Sequence, residues 1–237
     1  MDLLRLLSFG PDGWGDELAA GAFLTIRLAL ATLPFGLLLG FLIALARRCD
    51  LAVLRMFGNA YSTVFRGLPE LLTIFIVYFG GQSLLRTIVE FFGDGNGVEV
   101  NGFLAGVIAL GVVFSAYASE VFLGAFGNIQ KGQYEAAQSL GLKRIATLRL
   151  IVLPQLIRLA LPGLANLWLA LLKDTSLVSV IAIDDLLRMT GIAVRVTKEP
   201  FFFFGIACLL YLAMSIVSSF GINAIERWSN RGMRRLA

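Results

Sequence analysis

The stretch LALATLPFGLLLGFLIALA, Leu28 to Ala46, runs for 19 residues without a charged side chain. A helix needs roughly 20 residues to cross about 30 Å of hydrocarbon. The run ends on Arg47 and Arg48, a cation pair of the kind that marks a membrane exit. Further runs lie at Leu71 to Gly80, Phe103 to Phe114 and Phe201 to Ile222. The whole chain shares the bias: 58% of its 237 residues are hydrophobic, 15% are charged, and the mean hydropathy is +0.82. Soluble domains carry an apolar share of about half. A transmembrane barrel would show alternating segments of about 10 residues, whereas these runs are continuous. An all-α membrane protein is predicted, one domain over residues 1–237.

Five spans emerge. The first covers Leu18 to Ala46, with Pro34 expected to kink it. The second is approached through Arg55, Asn59, Tyr61 and Ser62 and contains RGLPELLTIFIVYFG, before the glycine-rich GDGNGVEVNG with Asp94 and Glu99, read as an external loop. The third runs from Gly102 to Ala125, the fourth from Leu150 to Leu172 with bends at Pro154 and Pro162, and the last from Phe201 to Ala224. An odd number of spans puts the termini on opposite sides, and the cations decide which. With the N-terminus outside, Arg47, Arg48, Arg55, Lys131, Lys143, Arg144, Arg149, Arg227, Arg231, Arg234 and Arg235 fall on the cytoplasmic side. The outer cations Arg5, Arg86, Arg188, Arg195 and Lys198 are offset there by Asp12, Asp16, Glu17, Asp94, Glu99, Asp184 and Asp185. The net charge of +4 thus reflects orientation and calls for no nucleic-acid partner. The start MDLLRLLSFGPDGWGDE breaks at Gly10 and Pro11, so no cleaved signal peptide is expected.

The chain lacks histidine, which removes the usual general base and metal ligand. Cys49, beside two arginines, and Cys208, inside an apolar run, suggest neither a disulfide nor a metal site. No stretch fits G-x-x-x-x-G-K-[ST], so the chain has no phosphate-cradling loop of its own. No internal repeat supports an inverted-repeat secondary transporter.

The segment EAAQSLGLKRIATLRLIVLP, Glu135 to Pro154, interrupts this apolar pattern. Ala136, Ala137, Leu140 and Gly141, at spacings of three and four, can share one helix surface of little bulk, with Glu135 in the first turn where a carboxylate suits the helix dipole. Gly141 either ends this short helix or admits a partner's backbone. A basic helical turn from Lys143 to Arg149 then leads back to the membrane at Pro154. Such a surface fits a partner's groove, or it lies on lipid as an interfacial helix.

The spacing E-A-A, three residues, G, nine residues, I-x-L-P resembles the cytoplasmic signature of the integral membrane subunits of ATP-binding-cassette (ABC) importers. FRGLPELLTIFIVYFG (Phe65 to Gly80), SAYASEVFLGAF (Ser115 to Phe126), LPGLANLWLALLKDTSLVSVI (Leu161 to Ile181) and EPFFFFGIACLLY (Glu199 to Tyr211) are similar to the polar amino-acid branch. Within it, the chain looks most like permeases for histidine, lysine, arginine and ornithine and their opine-importing relatives for octopine and nopaline. The resemblance implies a type I ABC importer (MetI-like) permease fold in the bacterial inner membrane, with a coupling loop over about 128–154. It implies a second permease subunit, a paralogue in preference to a copy. It further implies two copies of an ABC ATPase that bind the ATP and magnesium, and a periplasmic solute-binding protein. Glu135, Ala136, Ala137, Gly141 and Lys143 would then form the ATPase-coupling surface, and the chain would not be an enzyme. The rival readings are a secondary transporter or channel without an ATPase, and a membrane adaptor; a non-cationic polar amino acid is the alternative substrate.

A charge at membrane depth costs about 2.5 to 3.5 kcal/mol, so each such residue needs a reason. Glu70 follows Pro69, where the helix must kink or break, and could bind a cationic substrate; the alternative is an ion pair with Arg66 one turn earlier. Glu120 has a similar claim against a structural hydrogen bond to the next helix. Lys173 and Asp174, with Thr175 and Ser176, line the pathway or pair with each other, pairing being preferred. Arg27 is expected to snorkel to the outer interface, and Phe201 to Phe204 to anchor a helix there. The outer loop carrying Asp184, Asp185, Arg188, Arg195 and Lys198 is a candidate docking face for the binding protein.

Overall fold

The computed structural model describes residues 3–11, 13–91, 101–181 and 183–229. Ten α-helices are described: α1 (Gly15–Arg48), α2 (Ala52–Gly67), α3 (Glu70–Phe75), α4 (Gly81–Phe91), α5 (Gly102–Gly127), α6 (Lys131–Ser139), α7 (Arg144–Thr147), α8 (Leu153–Asp174), α9 (Leu186–Thr197) and α10 (Pro200–Ser229). Among the described residues, five helical runs are long and apolar enough to cross a membrane: Gly15–Arg48, Glu70–Phe91, Gly102–Gly127, Arg144–Ile181 and Pro200–Ser229.

Helix α5 is the hub. It is apolar on all sides, and a helix of that kind belongs in a core. Buried residues make up 67% of its most apolar stretch, against 11% for the Glu70–Phe91 run and for α10. It packs most extensively on α1, then on α8, α2 and α3. The α1–α5 contact is close because α1 presents Gly36 and Gly40 one turn apart. A β-carbon on Gly36 would meet the Phe114 ring at 2.5 Å, and one on Gly40 would meet Ala118 Cβ at 2.8 Å. Small residues four apart allow such approach where no hydrophobic effect drives helices together. Leu28, Ile74, Leu110, Phe114, Leu156 and Leu171 fill the main core. Leu18, Leu186, Ala193 and Phe203 form a second cluster where α1, α9 and α10 meet.

Prolines shape the spans in ways the hydropathy pattern understates. Helix α1 runs unbroken through Pro34. At Leu68–Pro69 the chain does break: Leu68 is extended (ψ 148°), the conformation a following proline enforces, and α3 starts at the next residue. The fourth span begins at Arg144, six residues before the expected Leu150, and carries a π-helical turn at Leu148–Val152. Pro154 has no N–H for the Leu150 carbonyl, and a widened turn is a common accommodation of such a gap. A second π turn, Ile76–Gly80, joins α3 to α4.

The region expected to be an outer docking loop is largely helix α9. Asp185 caps its N-terminus, Oδ1 accepting the Arg188 N–H at 3.0 Å, and is fully buried. Arg188 pairs with Asp184 at 2.8 Å. Asp185 therefore serves the fold and offers no docking charge. Asn101 caps α5 by accepting from the Phe103 N–H at 2.9 Å. Asp12, Asp94, Glu99, Arg231, Arg234 and Arg235 lie outside the described residues.

Candidate functional site

The break at Pro69 turns α3 so that Glu70, its first residue, faces α5 and α8. Glu70, Tyr117 of α5 and Asp174 of α8 line one cavity of about 130 Å³, walled by Ile74, Val113 and Leu171 among others. Two carboxylates and a phenol thus converge from three helices, and among the described residues no cation lines the space. An apolar cavity with a few convergent polar groups is the usual form of a small-molecule site. Here the two carboxylates supply negative charge and suit a cationic ligand.

The pairings considered from sequence do not form. Arg66 binds Glu120, not Glu70. The i, i+4 relation that would bring Arg66 to Glu70 requires a continuous helix, and the extended Leu68 interrupts it. Lys173 and Asp174 make no ion pair; neighbours on a helix point about 100° apart, so Asp174 turns to the cavity while Lys173 is exposed. Thr175 is buried and donates its hydroxyl to the Leu172 carbonyl at 2.8 Å, and Ser176 does not line the cavity.

Glu120 has a structural environment of its own. Its Oε1 accepts from Arg47 Nη1 and Ser62 Oγ, both at 2.9 Å, and from Arg66. Arg47 Nε also donates to Asn59 Oδ1 at 2.9 Å. This network pins the end of α1 and the polar face of α2 to α5, the hydrogen-bonding alternative raised for Glu120. Tyr61 joins the same seam, its hydroxyl 3.1 Å from the Val112 carbonyl and 2.7 Å from Ser115 Oγ. Arg27 lies over the rings of Phe23 and Phe103, 5.6 and 5.7 Å from their centroids.

The E-A-A segment folds as α6 and a turn. The helix starts at Lys131, so Glu135 sits in its second turn and not its first. It ends in a Schellman motif: the Leu142 N–H donates to the Ala137 carbonyl at 3.1 Å and the Gly141 N–H to the Gln138 carbonyl at 2.9 Å. Gly141 has φ +76°, the left-handed conformation this motif needs. No atom lies within 4 Å of a β-carbon placed there, so the glycine also leaves open space outside the chain. Ala137 is fully buried against its own protein, whereas Glu135, Ala136, Leu140 and Lys143 are exposed. The surface expected to carry both alanines carries only Ala136.

Residues 21–235 match the family model described as "Binding-protein-dependent transport system inner membrane component". The chain belongs to this family. It is therefore a multi-pass membrane permease, a transport component and not an enzyme. The permease is 44% identical to the nopaline transport system permease protein NocQ of Agrobacterium fabrum, with 98% of each chain covered. It is 37% identical to the arginine ABC transporter permease protein ArtQ of Escherichia coli, over 92% of this chain and 97% of the relative. Among solved structures it resembles an amino acid ABC transporter with histidines, with a TM-score of 0.76 and 30% identity over 90% of this chain and 94% of that one. The inward-facing MetNI methionine ABC transporter shares the fold, with a TM-score of 0.71 at 16% identity over 90% of this chain and 96% of that one. The permease is thus a type I ABC importer subunit.

Tyr117 was not foreseen as part of the permease's cavity, although it stands three residues before Glu120 in SAYASE, one turn along the same apolar helix. Arg47 was read as a mark of membrane exit and also holds Glu120. No local pattern announces that role, because its partners lie 12 to 73 residues away.

Proposed function

We propose that the permease imports a cationic amino acid or a guanidinium-bearing opine, binding the cationic group between Glu70 and Asp174. The supporting observation is the meeting of these two carboxylates with Tyr117 in a cavity that no cation among the described residues lines. The nopaline and arginine names of its relatives point to the same chemistry. Apolar walls exclude water and strengthen the attraction between carboxylate and cation. Glu120 and Arg66 act as structural ties in this reading, and Thr175 and Ser176 shape the backbone beside Asp174.

The N-terminus lies outside and the C-terminus in the cytoplasm of a bacterial inner-membrane protein, a reading that the asymmetry of Lys and Arg supports. A second permease, a paralogue in preference to a copy, completes the pathway. Two ABC ATPase subunits bind the ATP and magnesium, and a periplasmic binding protein delivers the substrate. Glu135, Ala136 and Gly141 form the docking surface for the ATPase, while Ala137 anchors α6 to the permease and Lys143 turns to the cavity beside Arg48 and Arg144. The exposed Leu140 and Ile145, 77% and 81% accessible, give that surface apolar contact. Closure of the ATPases would move α6 and shift the permease between two access states.

Uptake of labelled arginine and nopaline by Glu70→Gln and Asp174→Asn variants tests the site. Loss of one charge-assisted hydrogen bond of roughly 1.5 to 3 kcal/mol raises KM by about 10- to 150-fold, with subunit assembly unchanged. Wild-type KM values in both variants would refute the binding role.

A further inference from the structure

A second cavity, of about 620 Å³, opens between the end of α1, the end of α5 and the chain from Tyr134 to Val152. Its walls are of two kinds. Leu45, Phe126, Leu148 and Val152 supply an apolar floor, while Arg48, Lys143 and Arg144 bring three cations to the same space. No carboxylate among the described residues lines it. Of these cations only Arg144 has an acidic partner among the described residues: Asp50 at 3.7 Å, both side chains more than 90% accessible. An exposed pair at that distance neutralises little. Arg48 is held with its guanidinium carbon 4.7 Å from the centre of the Phe126 ring, which fixes it at the cavity wall. Tyr134 contributes a second observation: its hydroxyl is buried and has no hydrogen-bond partner. A buried orphan hydroxyl costs about 1 to 3 kcal/mol, so it is a donor lacking its acceptor.

Three cations without a lining acid, one unsatisfied hydroxyl and an apolar floor at the end of membrane helices define an amphiphilic, anionic ligand. We propose that this cavity binds the phosphate of an anionic phospholipid headgroup, with Arg48, Lys143 and Arg144 around the phosphate and the first carbons of an acyl chain on the Leu45 and Phe126 floor. Basic pockets between membrane helices bind anionic headgroups by this chemistry. A free phosphate ion satisfies the cations but leaves the floor uncovered, which favours the lipid. The bound headgroup ties the end of α1 to the turn that follows α6, on the side of the segment away from the exposed Glu135 and Ala136. The assignment stands on this cavity alone and does not depend on the substrate reading.

The test is a native mass-spectrometric titration of the purified importer complex with phosphatidylglycerol, phosphatidylcholine and inorganic phosphate, using the natural permease and an R48Q/R144Q variant. Phosphatidylglycerol is expected to bind at least about tenfold more tightly than phosphatidylcholine. The double variant is expected to lose about thirtyfold, the combined contribution of two basic side chains at a lipid surface. The charge-preserving R48K/R144K variant is expected to bind as the natural chain does, which separates loss of charge from loss of fold. Equal binding of the two lipids, undiminished phosphatidylglycerol binding in R48Q/R144Q, or loss of binding in R48K/R144K would overturn the proposal. Displacement of phosphatidylglycerol by inorganic phosphate at matching concentrations would overturn the lipid as the source of the phosphate.

Discussion

Substituting Gly141 separates two jobs that one glycine can do. With φ at +76°, any other residue there bears the cost of the left-handed conformation, about 1 to 2 kcal/mol, with asparagine bearing least. The two hydrogen bonds of the cap, from Gly141 and Leu142, contribute about 1 kcal/mol each and hold the turn against that strain. Cost and restraint are comparable, so Gly141→Ala should leave the cap partly formed and reduce transport only a few-fold. Gly141→Trp carries the same backbone cost, and its β-carbon enters open space, since nothing lies within 4 Å of that position. An extra loss of uptake in a tryptophan variant whose thermal stability matches that of Gly141→Ala comes from a partner brought close to that space. Overpacking a fitted interface costs about 1 to 3 kcal/mol, a further loss of about 5- to 150-fold. The assay is substrate uptake per ATP hydrolysed in proteoliposomes holding the assembled importer, for Gly, Asn, Ala and Trp at position 141. The expected order is Gly near Asn, then Ala, then Trp, with ATP hydrolysis outlasting uptake in the last. Undiminished uptake in Gly141→Trp would refute the docking role. Equal losses in Ala and Trp would reduce the residue to a helix cap.

Gly36→Val should loosen the α1–α5 contact, because its β-carbon meets the Phe114 ring at 2.5 Å; thermal unfolding in detergent should show a loss of about 1 to 3 kcal/mol. Glu120→Gln strips the counter-charge from Arg47 and Arg66, so assembly and thermal stability should fall while the KM of the surviving importer stays unchanged. Asp185 gives a pH signature: burial, the main cause, pushes its carboxyl from an ordinary 3.8 up to about 6, with Oδ2 buried and unpartnered. The folded chain then binds that proton more tightly than the unfolded chain. The stability it contributes is full below pH 3.8 and is lost as pH rises through about 6, an amplitude of roughly 3 kcal/mol at most. Unfolding midpoints of the natural chain and Asp185→Asn should therefore diverge across that window; parallel curves would remove Asp185 as the cause.

The spans were legible because hydropathy over 20 residues is a property of the segment itself, and the E-A-A spacing because its residues are close in sequence. Pairing was not legible. Arg66 and Glu70 stand four apart, yet the extended Leu68 sends them to different neighbours. The face of α6 could not be read either, since a short helix of small residues takes its orientation from what it packs on: the adjacent Ala136 and Ala137 have opposite fates, one exposed and one at 0% accessibility. Helix α9 passed for a loop because its 12 residues are too short for a membrane window and its charges resemble a solvated turn. Asp185 looked like a surface charge and proved to be a buried cap, a distinction that depends on α1 and α10 closing over it.

The two proposed sites of action are joined by a single element. The signature ends at Leu153 and Pro154, the first two residues of α8, and Asp174 is the last residue of the same 22-residue helix. At about 1.5 Å per residue, that rod carries a displacement over roughly 30 Å. In the proposed cycle, a push on α6 reaches the base of α8 through the π turn at Leu148–Val152 and through Gln155, whose side chain donates to Gln133 of α6 at 3.2 Å. Tilting the base of the rod moves Asp174 relative to Glu70, which rides on a separate helix behind the Pro69 break. The distance between the two carboxylates then becomes the variable that ATP controls. In that cycle a cation held between both carboxylates in one state, and facing only one in the other, is bound tightly and then released. Glu120 is unsuited to that part, because Arg47, Arg66 and Ser62 already hold its carboxylate.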